Sequence, residues 1–435
     1  SFRDGDCGKL VVLPRSPYGY IAGFHRGCFR QFEVDGFAEG QLLTRQLVEQ
    51  AIGVIAVPAE ACQSRYYPDP NGNYMILPPE GADVMLVGAL KEQDAVRLSE
   101  KSVIRKSPLH PDVCGNTNYP WSKVTKEPAI LSAKDPRHNS ENLSPLVRAI
   151  GKYRAPTQFL NPTSLDVARK WMCADFCAEM PDLCRVLTEE EAINGMEGMP
   201  YVERLAMDTS PGYPFVRMRP PGETGKRFMF EEHEPSKFAV KFPFLRWQLD
   251  MREALAKEGM QMPNSFWTDC LKDEKLKLSK IAESKTRLFN IGPVDHLILS
   301  KRYFGAFSRM FHMFRSRGWA SPGINTRSME WTEEYRYLLE VGFRGFDGDF
   351  FEFDGRTWAV AIEVACLVIN DWYKRFDPNW REEDDIVRLV LLRECQSPQH
   401  VAQNCVYQSF SGCPSGYFLT AVVNCCVNFV MTVCA

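Results

Sequence analysis

At 435 residues with 45% hydrophobic content, the chain is long enough to bury more than one core, and length alone suggests two or three domains. Its formal net charge of −3 does not announce a general polyanion binder, so cations serving a nucleic acid have to be concentrated in one channel. Fifteen irregularly spaced cysteines, with no paired C-x2-C sets and with Cys425 and Cys426 adjacent, argue against a disulfide framework or a zinc site and for reduced thiols.

The chain opens without a signal-peptide pattern and carries Gly5-Asp6-Cys7-Gly8, then Gly23-Phe24-His25-Arg26-Gly27. Glycines beside Cys7 let backbone amides turn toward a developing oxyanion while a thiolate attacks a carbonyl, although a buried structural cysteine or a Cys7/His25 dyad fits the same residues. Gly36 to Gly40 and Leu42 to Ile55 read as a last strand and a short amphipathic helix, followed by Pro58 and a Pro/Gly-rich linker at 66–83. This region resembles the end of the chymotrypsin-like cysteine proteases that precede the polymerase in picorna-like viral polyproteins. The resemblance implies that Cys7 is the nucleophile and that His25 lines the pocket for a substrate glutamine rather than serving as the base. It also implies cleavage of the polyprotein at Gln63-Ser64, with Gln50-Ala51 as the rival.

Farther along come Lys126-Glu127-Pro128-Ala129-Ile130-Leu131 with Lys134-Asp135-Pro136-Arg137, and then Thr209-Ser210-Pro211-Gly212-Tyr213-Pro214-Phe215, where Pro and Gly fix an irregular backbone. A basic run holds Lys272, Lys275, Lys277, Lys280, Lys285 and Arg287 and ends in Lys-Thr-Arg-Leu-Phe. Such a run is also what a solvated helix face looks like. Gly323-Ile324-Asn325 with Glu330-Trp331 precedes Gly342 to Asp349, an apolar, glycine-rich stretch that reads as a buried strand. Asp349-Phe350-Phe351-Glu352-Phe353-Asp354 offers two carboxylates. Ser411-Gly412-Cys413-Pro414-Ser415-Gly416 is a turn opening into an apolar helix with Thr420, Asn424, Asn428 and Thr432 every fourth residue, along one face. Those polar groups in the stretch Tyr417 to Ala435 favour a buried helix over a membrane span, and the stripe is equally readable as satisfied within a core.

Taken in this order, over about residues 95 to 435, these elements resemble the fingers and palm of RNA-dependent RNA polymerases of picorna-like viruses. The implied fold is α/β, a right-hand polymerase with fingers and a partial palm, preceded by a β-barrel protease remnant. The implied domains are 1–60 for the protease end, 61–94 for the linker and cleavage region, and 95–435 for the polymerase. Asp349 is implied as the catalytic, metal-binding carboxylate for Mg2+ or Mn2+, whose hard-oxygen preference suits it. Asp354 and Asn424 would sense the ribose 2′ hydroxyl, with Ser415, Gly416 and Thr420 beside them. Lys272, Lys285 and Arg287 would hold the triphosphate, and Ser210, Pro211, Gly212 and Tyr213 the template. The implied partners are an RNA template and primer, nucleoside triphosphates and the viral polyprotein, with no membrane span, in the cytoplasm of a host cell.

The chain starts at Ser1 and stops soon after Asn424. The protease's histidine and acid and the polymerase's Gly-Asp-Asp turn and thumb are therefore expected to be missing, and this piece is expected to be inactive alone. A non-catalytic RNA-binding scaffold and a reverse transcriptase are the competing readings; Asp354 with Asn424 argues against the second.

Overall fold

A computed structural model describes residues 76–107, 124–154, 161–315, 319–325, 327–340, 342 and 348–434 in full, and Val341 and the strands at 10–12, 21–25 and 40–42 as backbone. Contacts divide the chain into two units, 1–66 with 157–163 and 67–156 with 164–435. In the first, β1 (Leu10–Val12), β2 (Ile21–His25) and β3 (Gly40–Leu42) form an antiparallel sheet with β2 in the middle. His25 closes β2, whereas Cys7, Gln50-Ala51 and Gln63-Ser64 lie outside the described residues.

The remaining strands are β4 (Val84–Ala89), β5 (Lys126–Pro128), β6 (Phe230–Glu234), β7 (Lys237–Val240), β8 (Phe266–Leu271), β9 (Lys275–Lys277), β10 (Leu288–Ile291), β11 (Gln399–Ala402) and β12 (Cys405–Ser409). The helices are α1 (Pro145–Ile150), α2 (Pro162–Phe176), α3 (Glu189–Asn194), α4 (Pro243–Lys257), α5 (Leu278–Ala282) and α6 (Val294–Met313). They continue with α7 (Glu330–Val341), α8 (Phe353–Arg356), α9 (Ala359–Phe376), α10 (Glu382–Gln396) and α11 (Thr420–Cys434).

A five-stranded sheet runs β10-β8-β11-β12-β4, antiparallel except for the parallel β8/β11 pair. Its register sets Asn290 opposite Asp269 and His400 opposite Tyr407, which gathers four polar side chains at the sheet's centre. Helices α9, α10, α6 and α4 pack beside one another. Helix α6 is buried on nearly every side, polar residues such as Asp295, Lys301 and Arg309 included, and Phe307 meets Phe176 and Trp372 edge-on at 5.5 and 5.4 Å. Local signals start several helices: Pro leads α1 and α4, and Thr188 with Glu191 forms a capping box on α3.

Two expectations need revision, and a third falls mainly outside the described residues. Residues 84–94 fall in the expected linker, yet Val84 and Leu86 are buried and β4 pairs with β12, because this short apolar run can complete a sheet edge. Of the expected strand Gly342–Asp349, Gly342 follows the end of α7 and Gly348–Phe350 carry no strand, while 343–347 lie outside the described residues. The expected buried helix is α11, but only one face is covered, by Val422, Val423, Cys426, Val427 and Val430; Asn428 and Thr432 are exposed. Among the described residues no helix is long and apolar enough to cross a membrane.

Candidate active site

The glycine-rich turn sits directly on the two-carboxylate segment. Gly412 N–H donates to the Thr357 carbonyl at 2.9 Å, Cys413 N–H to the Asp354 carbonyl at 2.9 Å, and the Ser411 hydroxyl to the Gly355 carbonyl at 2.9 Å. Such closeness requires glycine in the turn: a Cβ on Gly412 would stand 2.5 Å from the Asp354 carbonyl oxygen, while Gly355 backs onto Lys152, where a Cβ would stand 2.6 Å from the carbonyl oxygen. Gly412 also takes φ +98°, a region that side chains disfavour. The Cys413 thiol is fully enclosed, and burial, with the Asp354 charge adding to it, pushes its pKa up to about 12, so it is a packing residue rather than a nucleophile.

On its other side the turn is fastened to β10. Asn290 N–H donates to Ser415 Oγ at 3.2 Å, and Gly416 lies so close to the Asn290 carbonyl that any side chain would overlap it. Beneath, the Asn290 amide reaches Asp269 at 2.6 Å and the Tyr153 hydroxyl at 3.1 Å. His400 Nδ1 lies 2.9 Å from Asp269 and its Nε2 3.1 Å from the Ser409 hydroxyl, and Tyr407 O–H donates to Asp269. All six residues are buried, and burial raises the phenol pKa of Tyr153 and Tyr407 well above the usual value. Sequence reasoning missed this group because Tyr153 looks like a loop residue and the others like ordinary strand residues, with only their polarity within strands as a hint.

The basic segment does not form one helix face. It turns through β9 and α5 between β8 and β10, and β9 pairs with β5, so the Lys126–Pro128 segment and the basic run share one small core of Ala129, Ile130, Leu131, Leu276 and Ile281. Lys272, Lys275, Lys277 and Lys280 are exposed. Lys285 Nζ lies 5.3 Å from the Phe351 ring, which Arg356 also faces at 5.1 Å, so a cation of this run reaches the two-carboxylate segment. Arg287 forks onto Glu274, through Nε at 2.5 Å and through a second nitrogen; that bond raises the arginine's pKa first, with Asp354 contributing by charge.

The remaining expected residues are placed as follows. Asp349 is exposed. Asp354 is half-buried and its Oδ2 accepts from Lys152 Nζ at 2.6 Å. The Thr420 hydroxyl donates to the Pro414 and Tyr417 carbonyls at 3.0 and 2.7 Å and so serves the start of α11, while Asn424 Oδ1 is a buried acceptor without a partner among the described residues. Ser210 Oγ accepts from Gly212 N–H at 3.3 Å, Pro211 accepts from Val294 N–H at 2.9 Å, and Tyr213 meets Phe266 edge-on at 5.6 Å. A cavity of about 420 Å³ joins this loop to the turn, with Ser210, Lys226, Asn290, Gly292, His296 and Gly416 on its walls. The carboxylate of Asp349 is the right donor type for Mg2+, but among the described residues no three His, Cys, Asp or Glu side chains converge, so no complete metal site is present there.

The family model for viral RNA-dependent RNA polymerase matches residues 117–435. The chain belongs to this family. It is 30% identical to the genome polyprotein of Rice tungro spherical virus (strain A) over 98% of its own length and 12% of the polyprotein's. To the RNA1 polyprotein of Cowpea mosaic virus (strain SB) it is 29% identical, over 98% of this chain and 22% of that one. The chain thus spans a minor part of these picorna-like relatives. Among solved structures, the Sicinivirus 3Dpol RNA dependent RNA polymerase matches with a TM-score of 0.62 at 23% identity, covering 81% of this chain and 67% of that one, which establishes a mixed α/β polymerase fold.

Proposed function

We propose that this chain carries out template-directed addition of ribonucleotides to RNA, as part of a picorna-like viral polyprotein that replicates in the host cytoplasm. One observation carries the reading: the Ser411–Gly416 turn is hydrogen-bonded to the backbone at Asp354, Gly355 and Thr357, so that the two motifs form one surface. In this reading Asp349 binds Mg2+ or Mn2+, and Asp354 with Asn424 senses the ribose hydroxyl, for which the unpartnered Asn424 oxygen is a ready acceptor. Lys272, Lys285 and Arg287 meet the triphosphate, Ser415, Gly416 and Thr420 shape the pocket floor, and Ser210 to Tyr213 guide the template. The bound metal would neutralise charge on the leaving pyrophosphate.

The experiment is primer extension on an RNA template by the full-length protein that carries this chain, with Asp349→Asn beside the wild type. Loss of a metal carboxylate should remove nucleotide addition, since such a site supplies several kcal/mol of transition-state stabilisation. Full activity of Asp349→Asn would refute the assignment. Residues 1–60 belong, in the same reading, to the end of a cysteine protease, with Cys7 as nucleophile and His25 in the pocket; the antiparallel β1-β2-β3 sheet supports a barrel edge there. With its upstream sequence present, cleavage should begin a product at Ser64 and should stop in Cys7→Ala. A new N-terminus elsewhere, read by mass spectrometry, would reject the site.

A further inference from the structure

Lys152 is a long cationic side chain only 7% exposed, in a loop just after α1, and it belongs to none of the motifs that mark this family in the sequence. A lysine loses side-chain freedom and hydration when covered, so its ammonium needs a partner. Here the partner is Asp354 Oδ2 at 2.6 Å, across 202 residues of sequence. The contact is built rather than incidental. The Gly355 backbone lies against the Lys152 carbonyl, and Lys152 Nζ stands 5.1 Å from the ring of Tyr153, the next residue. Tyr153 is itself held: its carbonyl accepts from Asp83 N–H at 2.8 Å and its hydroxyl accepts from the Asn290 amide that also meets Asp269. Two consecutive residues therefore anchor opposite walls of the candidate site. Lys152 fixes the Asp354 carboxylate, and Tyr153 joins the buried group under the Ser415-Gly416 turn. Among the described residues, Asp354 Oδ1 takes no protein hydrogen bond, so the lysine engages one oxygen and leaves the other for a ligand hydroxyl.

We propose that Lys152 is a positioning residue for sugar selection: by pinning Asp354 Oδ2 it aims Oδ1 at the 2′ hydroxyl of an incoming ribonucleotide. The inference rests on the polymerase reading above. Without the ammonium, the carboxylate can rotate or turn toward Arg287 or Arg356, and a ribonucleotide then gains less over a deoxyribonucleotide.

The test measures kcat/KM for ATP and for dATP in primer extension by the full-length protein, in wild type, Lys152→Met, Lys152→Arg, Asp354→Ala and the double variant Lys152→Met/Asp354→Ala. Lys152→Met should lower the ATP/dATP ratio by about tenfold or more, the scale of one hydrogen bond to a charged group. Lys152→Arg, which keeps a donor cation, should recover part of that loss. The double variant should discriminate no worse than Asp354→Ala alone, because the lysine acts only through that carboxylate. An unchanged ratio in Lys152→Met overturns the inference, as does a further loss in the double variant, which would mean that the lysine meets the nucleotide directly. A variant that merely misfolds lowers both rates together without this pattern; if Lys152→Met does so, the Arg variant carries the test, and a ratio in Lys152→Arg as low as in Asp354→Ala overturns the inference. Wild-type protein that adds neither nucleotide would refute the polymerase reading itself, and this inference with it.

Discussion

Gly416 packs against the main-chain carbonyl of Asn290, with no room between them for even a methyl group. The turn before α11 therefore lies flat on β10, and Ser415 can exchange hydrogen bonds with Asn290 through its hydroxyl and its N–H. Gly416→Ala is expected to cost about 1–3 kcal/mol, the usual range for overpacking a close contact. Gly88→Ala, where a Cβ would meet nothing within 4 Å, should be close to neutral. Chemical denaturation of the two variants checks this; equal midpoints would mean that the turn lifts away from β10.

The Arg287 guanidinium has its fork on Glu274 while it feels the charge of Asp354. A triphosphate binding there has to compete with that carboxylate. Arg287→Ala should reduce kcat/KM for nucleotide addition strongly, and Arg287→Lys should restore little, since a point charge does not reproduce a planar two-pronged donor. Lys277→Ala, at an exposed position on β9, should have a small effect. Similar losses in Arg287→Ala and Lys277→Ala would leave only diffuse charge as the explanation.

Asp269 is the shared acceptor of the Asn290 amide and the Tyr407 hydroxyl, and a close neighbour of His400 Nδ1, all of them buried. Asp269→Ala should destabilise the protein by about 3 kcal/mol or more, because several buried polar groups lose their partner at once. Thermal unfolding measures the effect. A loss below about 1 kcal/mol, the worth of a single ordinary hydrogen bond, would show that the group re-pairs without it.

Burial lowers the pKa of Lys226 from 10.5 to about 8 although its ammonium donates to the Ala206 carbonyl at 2.8 Å. In the folded protein the lysine releases its proton near pH 8, whereas in the unfolded chain it keeps it to about 10.4. Through that window the unfolded state binds more protons, so this residue's contribution to stability rises with pH. Stability of the wild type relative to Lys226→Met should therefore increase between pH 8 and 10. A flat or falling difference across that range would refute the assignment to Lys226.

Much of the site was legible in the sequence because its residue types follow from local chemistry. Carboxylates five residues apart, glycines and a proline before an apolar helix, and a lysine-rich run closing on Arg287 are short-range patterns, and they identified both the family and the two segments that meet at Asp354. The sequence also shows where glycines stand, though not which of them are obligatory or what they lie against. Tertiary structure alone decided the pairing of buried charges and polar groups. Lys152 and Asp354 are brought together by the packing of the loop after α1 on α8, and Asp269, Asn290, His400 and Tyr407 by sheet register. It also drew β4 out of the presumed linker and turned half of the polar stripe on α11 toward solvent. The reason is physical: a hydrophobic pattern or a turn is encoded by neighbours along the chain, whereas the partner that makes a buried polar group tolerable comes from whichever distant segment the fold places beside it.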